Sequence, residues 1–447
     1  MTIGPGPQHR ARSTLATAVP ERVGPRRMPP GFHLLIAAQF ASALADNALL
    51  IVTIALLIQQ GLPGWWAPLL KFAFTLSYVF LAPFVGPLAD AVPKARLMAW
   101  MNGVKVLGVT ALLVGVHPVM AFAIVGFGAA AYAPAKYGLV TELVGPQQLV
   151  AANGWLEVTV VCAVLMGTVL GGGLVSALWL QSSAVAGAAG WLPSTVAAHA
   201  GALAPSLAAL LLVYATASLL NLGIPDSGAR YPASSLRPTV LVREFVQANR
   251  LLWRDQEGGL SLAATTLFWG VGATLQFAVL RWAADVLGLA LDRAAYLQAA
   301  VAVGVVLGAS AAGRFVALAQ ARRMLGFGVL LGLLIPLVAS ITAVGWALPL
   351  LVIVGAVGGL LVVPLNALLQ HRGCALLSAG RSIAVQGFNE NASVLGMLAV
   401  YAALLALDVP IVAVMWVLGL GIAAAIGLLM RRERCLRLAA VGASDLR

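Results

Sequence analysis

Charge is what this sequence has least of. Only 9% of its 447 residues are Asp, Glu, Lys or Arg, against about a quarter in an ordinary soluble domain. A chain that poor in charge, 61% hydrophobic and with mean hydropathy +0.96, cannot cover a water-facing surface and must live in lipid. Cysteine is scarce as well. Cys162, Cys374 and Cys435 lie far apart, form no CxxC pair and exclude a disulfide framework. The five histidines (His9, His33, His117, His199, His371) contain no H-x4-D acyltransferase pair, and no carboxylate–His or Ser–His cluster accompanies them. A membrane-bound lipid enzyme is therefore disfavoured, and no cofactor or metal is expected. Residues 1–30, rich in Pro and Arg, run into the first apolar stretch without an A-x-A cleavage site, which reads as a cytoplasmic leader.

Long apolar runs are what is there. A spanning helix needs about 20 mostly apolar residues. Twelve such runs are predicted, at 33–58, 67–90, 96–115, 118–142, 149–179, 201–223, 260–287, 294–318, 323–343, 347–370, 379–406 and 410–431. The net charge of +12 would suggest nucleic acid in a soluble protein, but here the cations sit at the ends of apolar runs. Twenty-two of the 27 Lys and Arg fall in the tails and alternate loops on one side, against Arg293 alone on the other. The positive-inside rule makes that side, and both termini, cytoplasmic. One long polar interruption, 224–259, divides the chain six helices from either end. The expected fold is an all-α polytopic membrane protein in two six-helix halves: a disordered tail 1–32, bundles 33–223 and 260–431, a cytoplasmic linker, and a tail 432–447. The segment LVREFVQANRLLW within the linker alternates apolar and basic residues. It reads either as a surface helix on the membrane or as a helix packed beneath the bundle.

Polar groups inside such helices are expensive, an aspartate costing about 2.5–3.5 kcal/mol at a bilayer centre, and they usually face a bundle interior or wet cavity. In ASALADNALL, Asp46 and Asn47 interrupt a wholly small and apolar context, and Gln39, Ser42 and Asp46 fall on one helical face. The fourth run places Tyr132 and Lys136 at i, i+4, and the fifth places Asn153 and Glu157 likewise. The seventh carries Trp269 and Gln276 seven apart. The tenth has Asn366 and Gln370, and the eleventh Ser382, Gln386, Glu390 and Ser393. These stripes argue for a midplane site that binds something polar and charged. Other readings stay open: Gln386 and the serines as bonds between helices, Asn366 as a partner for backbone freed by Pro364, and Lys136 with Glu157 as a structural ion pair. Lys71 and Lys105 are read as snorkelling near helix ends, outside the site. Snorkelling competes with a site role for Arg281.

After the second run, GPLADAVPKARL carries Gly86, Asp90, Lys94 and Arg96. It resembles the G-x-L-A-D-x-x-G-[RK]-x-[RK] signature of the major facilitator superfamily, with Ala91 in place of the usual Arg and Pro93 in place of the usual Gly. In that superfamily the acid and bases tie helices across the cytoplasmic gate, and the first, fourth, seventh and tenth helices line the cavity. The blocks AQFASALADNALL, GAAAYAPAKYG, VAANGWLE, TLFWGVGATLQF, VVPLNALLQHRG and AVQGFNENA resemble, in order, the bacterial lysophospholipid transporters of that superfamily. The resemblance implies a flippase that carries lysophosphatidylethanolamine and lysophosphatidylglycerol from the outer to the inner leaflet of the inner membrane. It also implies a functional partner, an acyltransferase–acyl carrier protein synthetase that reacylates them. Asp46 and Lys136 match the family's first-helix Asp and fourth-helix Lys. The family's seventh-helix Arg, partner of that Asp, is Gln276 here. The resemblance thus leaves Asp46 paired with Lys136 or Arg281, or protonated. In this reading Lys136 takes the phosphate, and Asp46 or Glu390 takes the ammonium. MGTVLGGGLVS and GVVLGASAAG offer either an apolar crevice for the acyl chain or plain close helix contact. A proton-coupled exporter of drugs or metabolites is the rival reading.

Overall fold

The computed structural model describes residues 28–444 apart from 64–65, 233–236 and most of 184–198; the expected tail 1–32 falls largely outside the described residues. Every regular element described is helical. Without water to satisfy backbone amides, a lipid-embedded chain closes its hydrogen bonds within each helix. The first six spans are Pro30–Gln59, Trp66–Ala91, Lys94–Leu113, Pro118–Leu143, Leu149–Leu174 and Ala204–Leu222. The second six are Gln256–Asp285, Leu291–Phe315, Leu325–Ala339, Val344–Leu376, Ala379–Ala406 and Ile411–Ser444. The fifth ends earlier than its apolar run, at Leu174; Ser176 then accepts a bond from the Trp179 amide to start a single turn, Ala177–Leu180. The twelfth continues as helix past residue 431.

Eleven helical stretches are long and apolar enough to cross a membrane by length and composition. The third, Lys94–Leu113, is the exception: Lys94, Arg96, Asn102 and Lys105 dilute it. Those same residues explain its place, since Lys105 and Asn102 are buried against neighbouring helices rather than turned to lipid.

One hydrophobic core is built from Leu49, Val52, Val109, Val125, Leu207 and Tyr214 of the first half. Another comes from Leu260, Trp282, Leu297, Ile335, Leu351 and Met415 of the second. A third joins the halves, bringing Val85, Leu139 and Leu156 against Ala309, Val363 and Ala384. The glycine stripes serve close approach. A Cβ on Gly304 would strike the Val352 carbonyl in the tenth span, and one on Gly355 the Val301 carbonyl in the eighth. Gly167 and Gly171 likewise seat the fifth span on Leu44 and Ala48 of the first. Of the two readings of these stripes, helix contact is therefore the one the structure adopts.

The linker helix Pro238–Arg254 packs beneath the bundle through Leu241, Ala248 and Leu252. Phe245 meets Phe388 edge-to-face at 5.2 Å, and Asn389 of the eleventh span donates to Asn249 at 2.8 Å. Asp255 then caps the seventh span, accepting from the Gly258 amide at 2.8 Å and from Arg372 at 2.7 Å. The Arg372 hydrogen bond, aided by that amide, holds the Asp255 carboxyl below the usual aspartate range.

Candidate functional site

The carboxylate of Asp46 is fully partnered. Lys105 Nζ lies 2.7 Å from Oδ2, and the Tyr214 hydroxyl donates to Oδ1 at 2.7 Å. Lys105 also donates to Ser42 Oγ at 2.9 Å, and Ser42 donates to Asn102 Oδ1 at 2.7 Å. Four neighbouring positions of the first, third and sixth spans thus close around one acid. Lys105 is 1% exposed, and its ammonium lies 5.2 Å and 5.6 Å from the ring centroids of Tyr132 and Tyr214. The expectation that Lys105 snorkels is overturned: its helix is held in the bundle interior, where the only low-energy outlet for the charge is a carboxylate. Asp46 meets neither Lys136 nor Arg281. Arg281 instead pairs with Asp285 at 3.0 Å, both well exposed, one turn apart on their own helix. Gln276 is exposed, and its backbone carbonyl accepts from Gln298 Nε2.

A cavity of about 880 Å³, counting its open mouth, surrounds this cluster. Its polar wall is Gln39, Ser42, Asp46, Asn47, Tyr132 and the lysines 71, 105 and 136; Leu50, Phe74, Phe122, Val160 and Val164 supply an apolar wall. All of these belong to the first five spans, so Gln276, Asn366 and Glu390 do not line it. Asn47 turns its amide back to the Ala43 carbonyl at 2.8 Å. At the floor, Lys136 Nζ reaches Gln39 Oε1 at 3.5 Å and sits 4.1 Å from the Tyr137 ring centroid, while Gln39 donates to Thr159 at 2.6 Å. Among the described residues Lys136 and Glu157 make no ion pair within 4.0 Å, yet each is the leading charge acting on the other at longer range. Glu157 is buried.

The polar residues of the tenth and eleventh spans bond outside this cavity. Gln386 Nε2 donates to Asn366 Oδ1 at 3.0 Å and to Glu390 Oε1 at 2.9 Å. Asn153 and Gln370 exchange a reciprocal pair of amide bonds, 2.8 and 2.9 Å, between the fifth and tenth spans. This is a tie between halves, and it is buried.

Further ties between the halves gather at the end of the bundle that carries the linker. Asp90 accepts from the Gly380 amide at 2.9 Å and from Ser378 Oγ, so its carboxylate caps the N-terminus of the eleventh span. Gly86 allows the approach, since a Cβ there would sit 3.0 Å from both Arg381 Cα and Ala384 Cβ. Lys94 stands 3.7 Å from Asp90 and 2.6 Å from Glu142. Arg96 is exposed beside these groups. Glu142 is absent from the sequence reading, yet it anchors this end: besides Lys94 it accepts from Ser227 at 2.6 Å and Tyr231 at 2.9 Å of the linker. Burial, and then the Glu142 carboxylate, push the Tyr231 phenol well above its ordinary range. Arg381 binds Glu244 of the linker helix at 2.8 Å. The bundle is closed at this end, and the cavity leads away from it, from Lys136 up to Lys71.

Comparison with known proteins fits this geometry. The family model described as Major Facilitator Superfamily matches residues 34–388. Proteins named lysophospholipid transporter LplT, from Yersinia pestis and Yersinia pseudotuberculosis, are 43% identical over 382 residues, 85% of this chain and 88% of theirs. Among solved structures, the E. coli fucose:proton symporter FucP aligns with TM-score 0.68 at 15% identity, over 90% of this chain and 98% of that one. The human organic anion transporter MFSD10 aligns with TM-score 0.68 at 14% identity, over 91% and 100%. These two likenesses concern the fold alone.

Proposed function

The chain belongs to the major facilitator superfamily, and from that premise we propose that it is a lysophospholipid transporter working by alternating access between two six-helix halves. One observation carries the substrate class: the 43% identity to transporters of that name across nearly the whole of both chains. The cavity supports it chemically. A lysolipid has a charged head and one acyl chain, and a polar wall with three lysines faces an apolar wall in the same space.

In this reading the chain lies in a bacterial inner membrane with the linker end and both termini cytoplasmic, as the Lys and Arg distribution requires. The closed linker end then makes this the outward-open state, ready to receive lysophosphatidylethanolamine or lysophosphatidylglycerol from the outer leaflet. Lys136 is the phosphate partner. Of the two acids expected to take the ammonium, Asp46 has both oxygens occupied and Glu390 lies outside the cavity lining, bonded to Gln386. A cytoplasmic acyltransferase–acyl carrier protein synthetase would consume the product.

Proteoliposomes containing the purified chain and labelled lysophosphatidylethanolamine test the reading. Net movement of the lysolipid into the protected leaflet, without a proton gradient, is the expected result. No movement, or strict dependence on a proton gradient, would favour the exporter instead.

A further inference from the structure

The cavity of the first half carries an imbalance of charge that the site described so far does not use. Three ammonium groups line it, those of Lys71, Lys105 and Lys136, against the single carboxylate of Asp46. Asp46 cancels Lys105 at 2.7 Å. Among the described residues no carboxylate lies within 4.0 Å of Lys71 or Lys136; the buried Glu157, which does not line the cavity, acts on Lys136 only from longer range. At about 1.5 Å per residue, Lys71 lies roughly 8 Å inside the open end of its helix, which starts at Trp66. Lys136 lies roughly 27 Å from the same end of its helix, which starts at Pro118. One free cation therefore stands above the Asp46–Lys105 pair and the other below it. Lys71 is exposed, its ammonium 5.5 Å from the Phe74 ring centroid at the edge of the apolar wall.

We propose that Lys71 and Lys136 form a two-station anion track, and that the cavity takes single-chain lipids with net-negative phosphate heads in preference to zwitterionic ones. This rests on the lysolipid reading of the same cavity and extends it to head-group choice. A low-dielectric wall concentrates the field of unpaired charges and raises the local concentration of the opposite charge. Lys71 captures the phosphate at the mouth, with the acyl chain against Phe74, Phe122 and Leu50. Lys136 receives the phosphate at the floor, where Gln39 and Tyr137 already hold its ammonium. A zwitterionic head brings its own ammonium into a cavity of net positive charge, and no lining carboxylate is left to receive it.

Binding tests this apart from transport. The full chain in neutral maltoside detergent is titrated with dodecyl phosphate and with dodecylphosphocholine, followed by thermal shift at low and high salt. Dodecyl phosphate should bind about tenfold more tightly at low salt, with the ratio shrinking as salt rises. Lys71→Gln should cut that ratio about three- to tenfold, and Lys71→Arg should keep it. Lys136→Gln should weaken dodecyl phosphate most. Equal affinities for the two heads, or an unchanged ratio in Lys71→Gln with Lys71→Arg behaving like the parent, would overturn the proposal. If the preference for phosphate holds while proteoliposomes move no lysolipid, the transport reading fails and the anion track stands.

Discussion

Consider the removal of one partner from the Asp46–Lys105 pair. At 2.7 Å and an effective dielectric of about 20, the direct attraction is about 6 kcal/mol. Desolvating two charges offsets much of it, so the net value of the intact pair is small. Losing one partner is a different matter, because the survivor stays buried and uncompensated, typically at about 3–5 kcal/mol. Lys105→Met leaves the Asp46 carboxylate with only the Tyr214 hydroxyl, so it should cost about 3 kcal/mol or more. Asp46→Asn strands a 1%-exposed ammonium beside Ser42 and should cost about as much. The double variant Asp46→Asn/Lys105→Met strands neither charge and should recover at least about 2 kcal/mol relative to the sum of the singles. Intramembrane couplings between neutral polar groups average about 0.6 kcal/mol, so a value that high would mark a true ion pair. Reversible unfolding of the purified chain in mixed micelles, followed by far-UV circular dichroism, measures the cycle. Additive losses, with no recovery in the double variant, would refute the argument that the pair is buried and closed.

Other outcomes follow from single contacts. Asp90→Asn keeps the shape of the cap but removes the anion from the N-terminus of the eleventh span; it should loosen the linker end and raise labelling of a cysteine placed at Ala384, with unchanged labelling counting against the cap. Gly86→Val should do the same by steric means, since the added carbons meet Arg381 and Ala384 backbone and side chain. Tyr231→Phe removes one of the bonds to Glu142 and should destabilise the closed end by about 1 kcal/mol, read as a lower midpoint of unfolding. At the exposed Asp226, hydrogen bonds from Arg230 and the Gly228 amide hold the carboxyl at about 2. A depressed folded value gives stability that is present above the unfolded value of about 3.9 and is lost as pH falls toward 2. The difference in unfolding midpoint between the parent and Asp226→Asn should be constant from pH 7 to 5 and shrink as pH falls toward 2.

The helices were legible because lipid leaves one solution for the backbone, and twelve apolar runs with their flanking cations show it. Close helix contact at Gly304 was visible as one of two readings of the small-residue run GVVLGASAAG, whereas its counterpart Gly355 was found only in the structure. The partner of Asp46 was not visible. Lys105 sits in NGVKVLG, eight residues from a helix end, where reach to the interface is as plausible on paper as burial. A signal was nonetheless present: Asn102, nearly one turn before Lys105, gave the third run a polar face. Tyr214, one tyrosine within an apolar run, carried no mark at all. Glu142 was missed because it lies at a helix end, where acids are ordinary, and its linker partners Ser227 and Tyr231 are brought to it only by the fold. The polar stripes of the seventh and tenth helices suggested one shared cavity; the structure divides them, because periodicity shows which residues share a face but not which face meets which helix.

The division has a mechanical consequence. Every bond of the Asp46 cluster joins the first, third and sixth spans, all within one half. The ties that join the halves, Asp90 to Ser378 and Gly380 and Asn153 to Gln370, lie toward the linker end instead. A rigid rotation of one half against the other must break the second set and can leave the first intact. If the halves move in this way, Asp46 acts as a brace that keeps the cavity wall in one shape, and the proposed gate is Asp90 with the Asn153–Gln370 pair. This separates two phenotypes. Asn153→Ala and Gln370→Ala each leave one buried amide without its partner, at a cost of about 1–3 kcal/mol paid only in the linker-closed state, so both should shift the population toward the linker-open state. Tyr214→Phe should lower stability in both states equally and leave that population unchanged. Accessibility of cysteines at the two ends of the cavity measures the population. A shift in Tyr214→Phe as large as in Gln370→Ala would make the Asp46 cluster part of the gate after all.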